Sequence, residues 1–161
     1  MSEANAAYSR PVATTVFFDP QRASEAEWRA ALACWRQRSA EDFPDEPLAS
    51  DAETRHGVLQ NAPLHAVHRV LALGEHGKPV GSLNMSIRRA DTPDYESFAP
   101  FVDAWGGVLR SHQRRGVAST LLGALLAFME TQGKTTATVK AHLPEGHAFL
   151  RAIGAQERHR S

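Results

Sequence analysis

The stretch Val108-Leu109-Arg110-Ser111-His112-Gln113-Arg114-Arg115-Gly116-Val117-Ala118-Ser119-Thr120-Leu121-Leu122 decides the fold. A β-prone segment runs into a polar turn with two arginines, and a helix begins at once behind Gly116. Ala118, Leu121, Leu122, Leu125 and Met129 recur at helical spacing, and Gly133 supplies a stop. The first amides of such a helix lack intrahelical partners, and the helix dipole adds positive potential there. That end suits a phosphate. Gly116 and the small Ala118 let a diphosphate approach the backbone, and Arg114 and Arg115 add charge beside it.

Upstream, Val12 to Phe18 reads as a first strand after a loose leader, residues 1–10. Ser24 with Glu27 forms a capping box for a helix that buries Trp28, Ala31, Leu32 and Trp35. Phe43 to Pro47 is a turn-rich loop, and Asp42, Asp45 and Glu46 make an acidic loop before the second helix. Ser50 with Glu53 caps a second helix to about Leu59. Strands follow at His65–Leu73 and Val80–Arg88, joined by a hairpin turn, and then at Phe101–Leu109. Within the last of these, Gly106-Gly107 predicts a bulge or a close backbone approach. Downstream of the decisive helix come a strand, Thr135–Leu143, and a helix opened by Pro144 and stopped by Gly154. This mixed order predicts an α/β fold with helices around a largely antiparallel central sheet, in a single domain over residues 11–161.

Composition is that of an ordinary globular chain: 161 residues, 42% apolar and 22% charged. Eighteen basic and eighteen acidic residues cancel, so no global field draws the chain to nucleic acid, and any anion site is local. No apolar run reaches the roughly 18 residues of a membrane span. No apolar signal core opens the chain, which reads as cytoplasmic. Cys34 stands alone and reads as packing. His65 and His68 fall on opposite faces of a strand, and no metal site is expected.

The turn resembles the Q/R-x-x-G-x-G/A diphosphate motif of the GNAT superfamily of acyl-CoA N-acyltransferases, with Gln113, Gly116 and Ala118 at its fixed positions. The resemblance runs over most of the chain and is strongest from Phe101 to Gly154. Asp45-Glu46-Pro47-Leu48-Ala49-Ser50, and Ala148-Phe149-Leu150 with Gly154, also resemble the N-terminal half of bacterial tandem-GNAT proteins.

The resemblance implies acetyl-CoA as co-substrate and a small-molecule primary amine as acceptor, joined by direct attack in a ternary complex. It implies that the fourth and fifth strands splay apart to admit the pantetheine arm, with Gly106-Gly107 at the splay. The implied cofactor-binding set is Val108, Leu109 and Arg110 on the strand, and Gln113, Arg114, Arg115, Gly116, Val117, Ala118 and Ser119 on the turn and helix. The Val108 N–H would face the thioester carbonyl. Asp103 holds the family's carboxylate position as base, with Glu96 and Asp94 as rivals. The position of the usual tyrosine acid is Leu150, leaving Ser111, His147 or water for that role. A non-catalytic acyl-CoA-binding half of a tandem protein is the alternative implied. The family's last strands have no counterpart after Gly154, which leaves a C-terminal truncation as the favoured expectation, beside a strand borrowed from another copy or closure with one strand fewer. The exposed edge makes a second copy or a second GNAT domain an expected partner.

Overall fold

The computed structural model describes residues 13–60, 62–140 and 154. Its five strands form one sheet in the order β1-β2-β3-β4-β5. They are Thr14–Phe18, His65–Leu73, Pro79–Arg88, Phe101–Val108 and Thr136–Lys140. The first four pair antiparallel, and β5 adds parallel to β4. The expectation of a mixed, mostly antiparallel sheet is met.

Helix α1 (Glu25–Asp42) and helix α2 (Asp51–Leu59) start as their sequences require. Ser24 and Ser50 each accept an amide hydrogen bond three residues on, and Glu27 and Glu53 return the bond. Helix α1 runs further than its apolar stripe suggested. Asp42 therefore closes the helix instead of opening the acidic loop, and it pairs with Arg38 at 3.7 Å. A one-turn helix, α3 (Tyr95–Phe98), lies between β3 and β4. Helix α4 (Val117–Gln132) ends at Gly133, whose φ of 68° needs no Cβ.

Strand alternation sends odd and even residues to opposite faces. Val70, Ala72, Leu83, Met85, Val102 and Ala104 face α4 and pack on its Val117, Leu121, Leu125 and Phe128. Phe18 and Leu71 face the other way, onto Trp28, Ala31 and Leu32 of α1. Helices thus cover both faces. Cys34 is buried on α1, and burial pushes its thiol up to about 11, so it is a packing residue.

Of the bulge and the close approach that Gly106-Gly107 allows, the second holds. The β3–β4 register runs unbroken through Gly106↔Leu83 and Gly107↔Ser82, so the paired glycines make no bulge in it; the register shift lies between Ala72 and Leu73. The glycines serve close approach instead. A Cβ on Gly106 would fall on the Ser82 carbonyl oxygen and 2.9 Å from Leu83 Cα. One on Gly107 would meet the Arg38 guanidinium at 2.9 Å. The β4–β5 ladder extends from Phe101↔Thr136 to Trp105↔Lys140. The expected splay beyond it, the strand end at Leu143 and the helix from Pro144 lie outside the described residues.

Candidate active site

The chain leaves β4 at Leu109, which is buried and gives its N–H to the Val80 carbonyl at 2.8 Å. A 3-10 turn, Arg110–His112, follows, and Gln113 Nε2 reaches back to the Val108 carbonyl at 3.3 Å. Arg114 and Gly116 then adopt left-handed conformations, with φ 61° and 84°. Those two reversals bend the backbone into the start of α4 and anchor the buried Val117 beneath it. Glycine at 116 bears this φ without steric cost; Arg114 bears the strain that its position demands.

The outcome is a row of open amides. No side chain caps α4, and its first bond runs from Thr120 N to Gly116 O at 3.0 Å. The N–H groups of Val117, Ala118 and Ser119 find no acceptor among the described residues. Arg114, Arg115, Gly116 and Ser119 are exposed. Unpartnered amides, a helix dipole and two arginines make a donor surface suited to a diphosphate.

Beside the turn, β4 supplies strand amides. Adjacent amides of an extended strand point to opposite edges. Leu109 donates towards β3, so the Val108 N–H points to the β5 side.

Helix α1 brings residues that the sequence did not single out. Arg38 lies on Gly107 and donates to Ser82 Oγ at 2.9 Å; its Nε is buried without a partner among the described residues. Glu41 accepts the Arg110 N–H at 2.9 Å and a bond from Gln37 Nε2 at 3.2 Å. Arg110 also donates from its guanidinium to the Glu41 carbonyl at 3.1 Å. The available signal was helical spacing. Arg38 and Glu41 continue, in polar form, the face of buried Ala31 and Cys34.

Asp103 is exposed on the α1 side of β4, opposite Ser86 and Thr138. Five residues of strand put it ~16 Å from Val108. Asp94 and Glu96 sit farther away, at the entry to β4, where Lys134 lies over the Tyr95 ring at 5.6 Å. Ser111 Oγ is hydrogen-bonded to His112 Nδ1 at 2.8 Å. Leu150 and His147 lie outside the described residues. Among the described residues, no group of three or more His, Cys, Asp or Glu side chains is placed to hold a metal. No described helix is long and apolar enough to cross a membrane.

The sequence profile described as the Acetyltransferase (GNAT) family matches residues 24–155. The chain belongs to the GNAT family. Solved structures share the fold at low identity. One is an aminoglycoside acetyltransferase, meta-AAC0020, from an uncultured soil metagenomic sample in complex with sisomicin. It superposes with a TM-score of 0.68 at 18% identity, over 93% of each chain. The aminoglycoside N-acetyltransferase AAC(6')-Iy in complex with CoA gives 0.60 at 22% identity, over 95% of this chain and 94% of its own. A tandem GNAT protein from the clavulanic acid biosynthesis pathway gives 0.70 at 18% identity, over 88% of this chain and 43% of its own. No curated protein matches the sequence significantly. At these identities the likeness is one of GNAT fold.

Proposed function

We propose that this GNAT domain moves an acetyl group from acetyl-CoA to a primary amine of a small molecule, by direct attack in a ternary complex. The observation that carries the proposal is the open run of amides at Val117, Ala118 and Ser119, directly continuous with the β4 edge. The solved GNAT neighbour holding CoA supports the choice of co-substrate.

In this reading Gln113, Arg114, Arg115, Gly116, Val117, Ala118 and Ser119 hold the diphosphate, and Val108, Leu109 and Arg110 line the pantetheine arm. The amine lone pair attacks the thioester carbon. A C–N bond forms, the carbonyl oxygen gains negative charge facing the Val108 N–H, and collapse expels the CoA thiolate. The ammonium proton leaves through water towards Asp103, whose distance from Val108 precludes direct contact. Water returns a proton to the thiolate.

A second reading has one observation in its favour. Leu150 occupies the family's usual acid position, so a domain that binds acyl-CoA without chemistry, as one half of a tandem protein, fits the same cradle. Release of free CoA thiol from acetyl-CoA, followed across a panel of amines, separates the two. The proposal expects acceptor-dependent release. CoA binding with no release from any amine favours the second reading.

A further inference from the structure

The α1-side face of the sheet has two unlike halves. One half carries Phe18 and Leu71 against α1. The other half carries polar, half-buried side chains. Cross-strand partners place their side chains on one face. The pairs Arg69↔Asn84, Asn84↔Trp105 and Trp105↔Lys140 therefore set four side chains in a row across β2 to β5. This row is one step along the strands from Ser82 and Gly107, where Arg38 lies.

Two of the four are cations without a counter-ion among the described residues. Neither Arg69 nor Lys140 makes an ion pair with any described residue. Both are half-buried, and burial lowers the pKa of Arg69. A partly desolvated guanidinium with no acceptor is costly unless something supplies a negative charge. Asp103 is the nearby acid, on the next row, and no ion pair joins it to either cation. The balance of Arg69, Lys140 and Asp103 is one net positive charge.

This row borders the place where the amine would attack. With strands ~4.8 Å apart and ~3.3 Å of rise per residue, the Lys140 backbone lies ~8 Å from Gly107 and that of Arg69 ~12 Å. Long side chains span the remaining gap.

Resting on the acyl-transfer reading above, we propose that the acceptor carries a carboxylate besides the amine that is acylated, and that Arg69 and Lys140 bind that carboxylate. The substrate class is amino-acid-like, not polycationic. The Arg69 fork matches a carboxylate in two hydrogen bonds, and Lys140 adds a point charge. The Asn84 amide and the Trp105 ring stand between them as a polar contact and an apolar wall. An aminoglycoside would bring several ammonium groups against the same two cations, which like-charge repulsion opposes.

The test compares matched acceptors by thiol release from acetyl-CoA: phenylalanine against phenethylamine, lysine against cadaverine, with one aminoglycoside alongside. The carboxylate-bearing member of each pair is expected to show kcat/KM roughly 30-fold higher. Arg69→Met and Lys140→Met are expected to raise KM for the amino acid and to leave the decarboxylated amine unchanged. Should Arg69→Met not fold, Arg69→Lys keeps the charge without the fork and is expected to show a smaller KM rise of the same selectivity. Equal turnover within each pair, preference for the amine lacking a carboxylate or for the aminoglycoside, or turnover of none while CoA still binds overturns the assignment. Absence of CoA binding to the wild type sinks the acyl-transfer reading itself and this inference with it.

Discussion

Glu41 and Arg110 hold each other twice. The Glu41 carboxylate accepts the Arg110 backbone N–H at 2.9 Å, and the Arg110 guanidinium donates to the Glu41 carbonyl at 3.1 Å. This pair ties the last turn of α1 to the exit of β4. It also occupies the backbone N–H of a residue that the acyl-CoA reading places along the pantetheine arm. Cofactor binding then has to displace a charge-assisted hydrogen bond. Glu41→Ala is expected to tighten CoA binding about tenfold and to lower the stability of the unliganded protein by about 1 kcal/mol. Calorimetric titration and urea denaturation read the two effects. Unchanged or weaker binding would show that the arm does not use the Arg110 amide.

The paired glycines of β4 are expected to differ in tolerance. At Gly106 a methyl group meets strand backbone, the Ser82 carbonyl and Leu83 Cα, which cannot step aside. At Gly107 it meets the end of a flexible arginine. Gly106→Ala should cost about 3 kcal/mol and Gly107→Ala about 1 kcal/mol. Denaturation midpoints of the two variants check the ranking, and equal costs would contradict it.

His68 gives the fold a pH dependence of known sign. Its ring packs against Phe128, with centroids 5.0 Å apart. Burial first, and the neighbouring Arg69 charge second, lower its pKa from the ordinary 6.5. The unfolded chain therefore binds this proton more readily. The contribution is fully present above pH 6.5 and shrinks as pH falls below it. His68→Gln should flatten the change in stability between pH 7.5 and 5.5, taken from urea denaturation at the two values.

Much of this architecture was readable from local chemistry. The two capping boxes at Ser24 and Ser50, the glycine stop at Gly133 and the strand-turn-helix at 108–122 depend on neighbours in sequence, and they stand where expected. The parallel addition of β5 to β4 is also consistent with the expected layered fold. What escaped depends on long-range geometry. The Glu41–Arg110 contact joins residues 69 apart. Arg38 is legible as a site residue only once Gly107 is known to lie beneath it. Asp42 was misplaced because an apolar stripe marks where a helix needs the core, not where its backbone bonds end. The row Arg69–Asn84–Trp105–Lys140 exists only through strand register, which no single stretch of sequence encodes.

The most direct test of the diphosphate cradle is calorimetric titration of acetyl-CoA into wild type and Ser119→Asp, with a thermal melt of each. Ser119 is exposed in the first turn of α4. An aspartate there suits the helix dipole, worth about 0.3–1 kcal/mol, so the fold should melt no lower than wild type. The same carboxylate would stand where the diphosphate is held, and binding should weaken by about a hundredfold or more, some 2.7 kcal/mol. A variant that melts normally and binds acetyl-CoA as tightly as wild type would contradict the account.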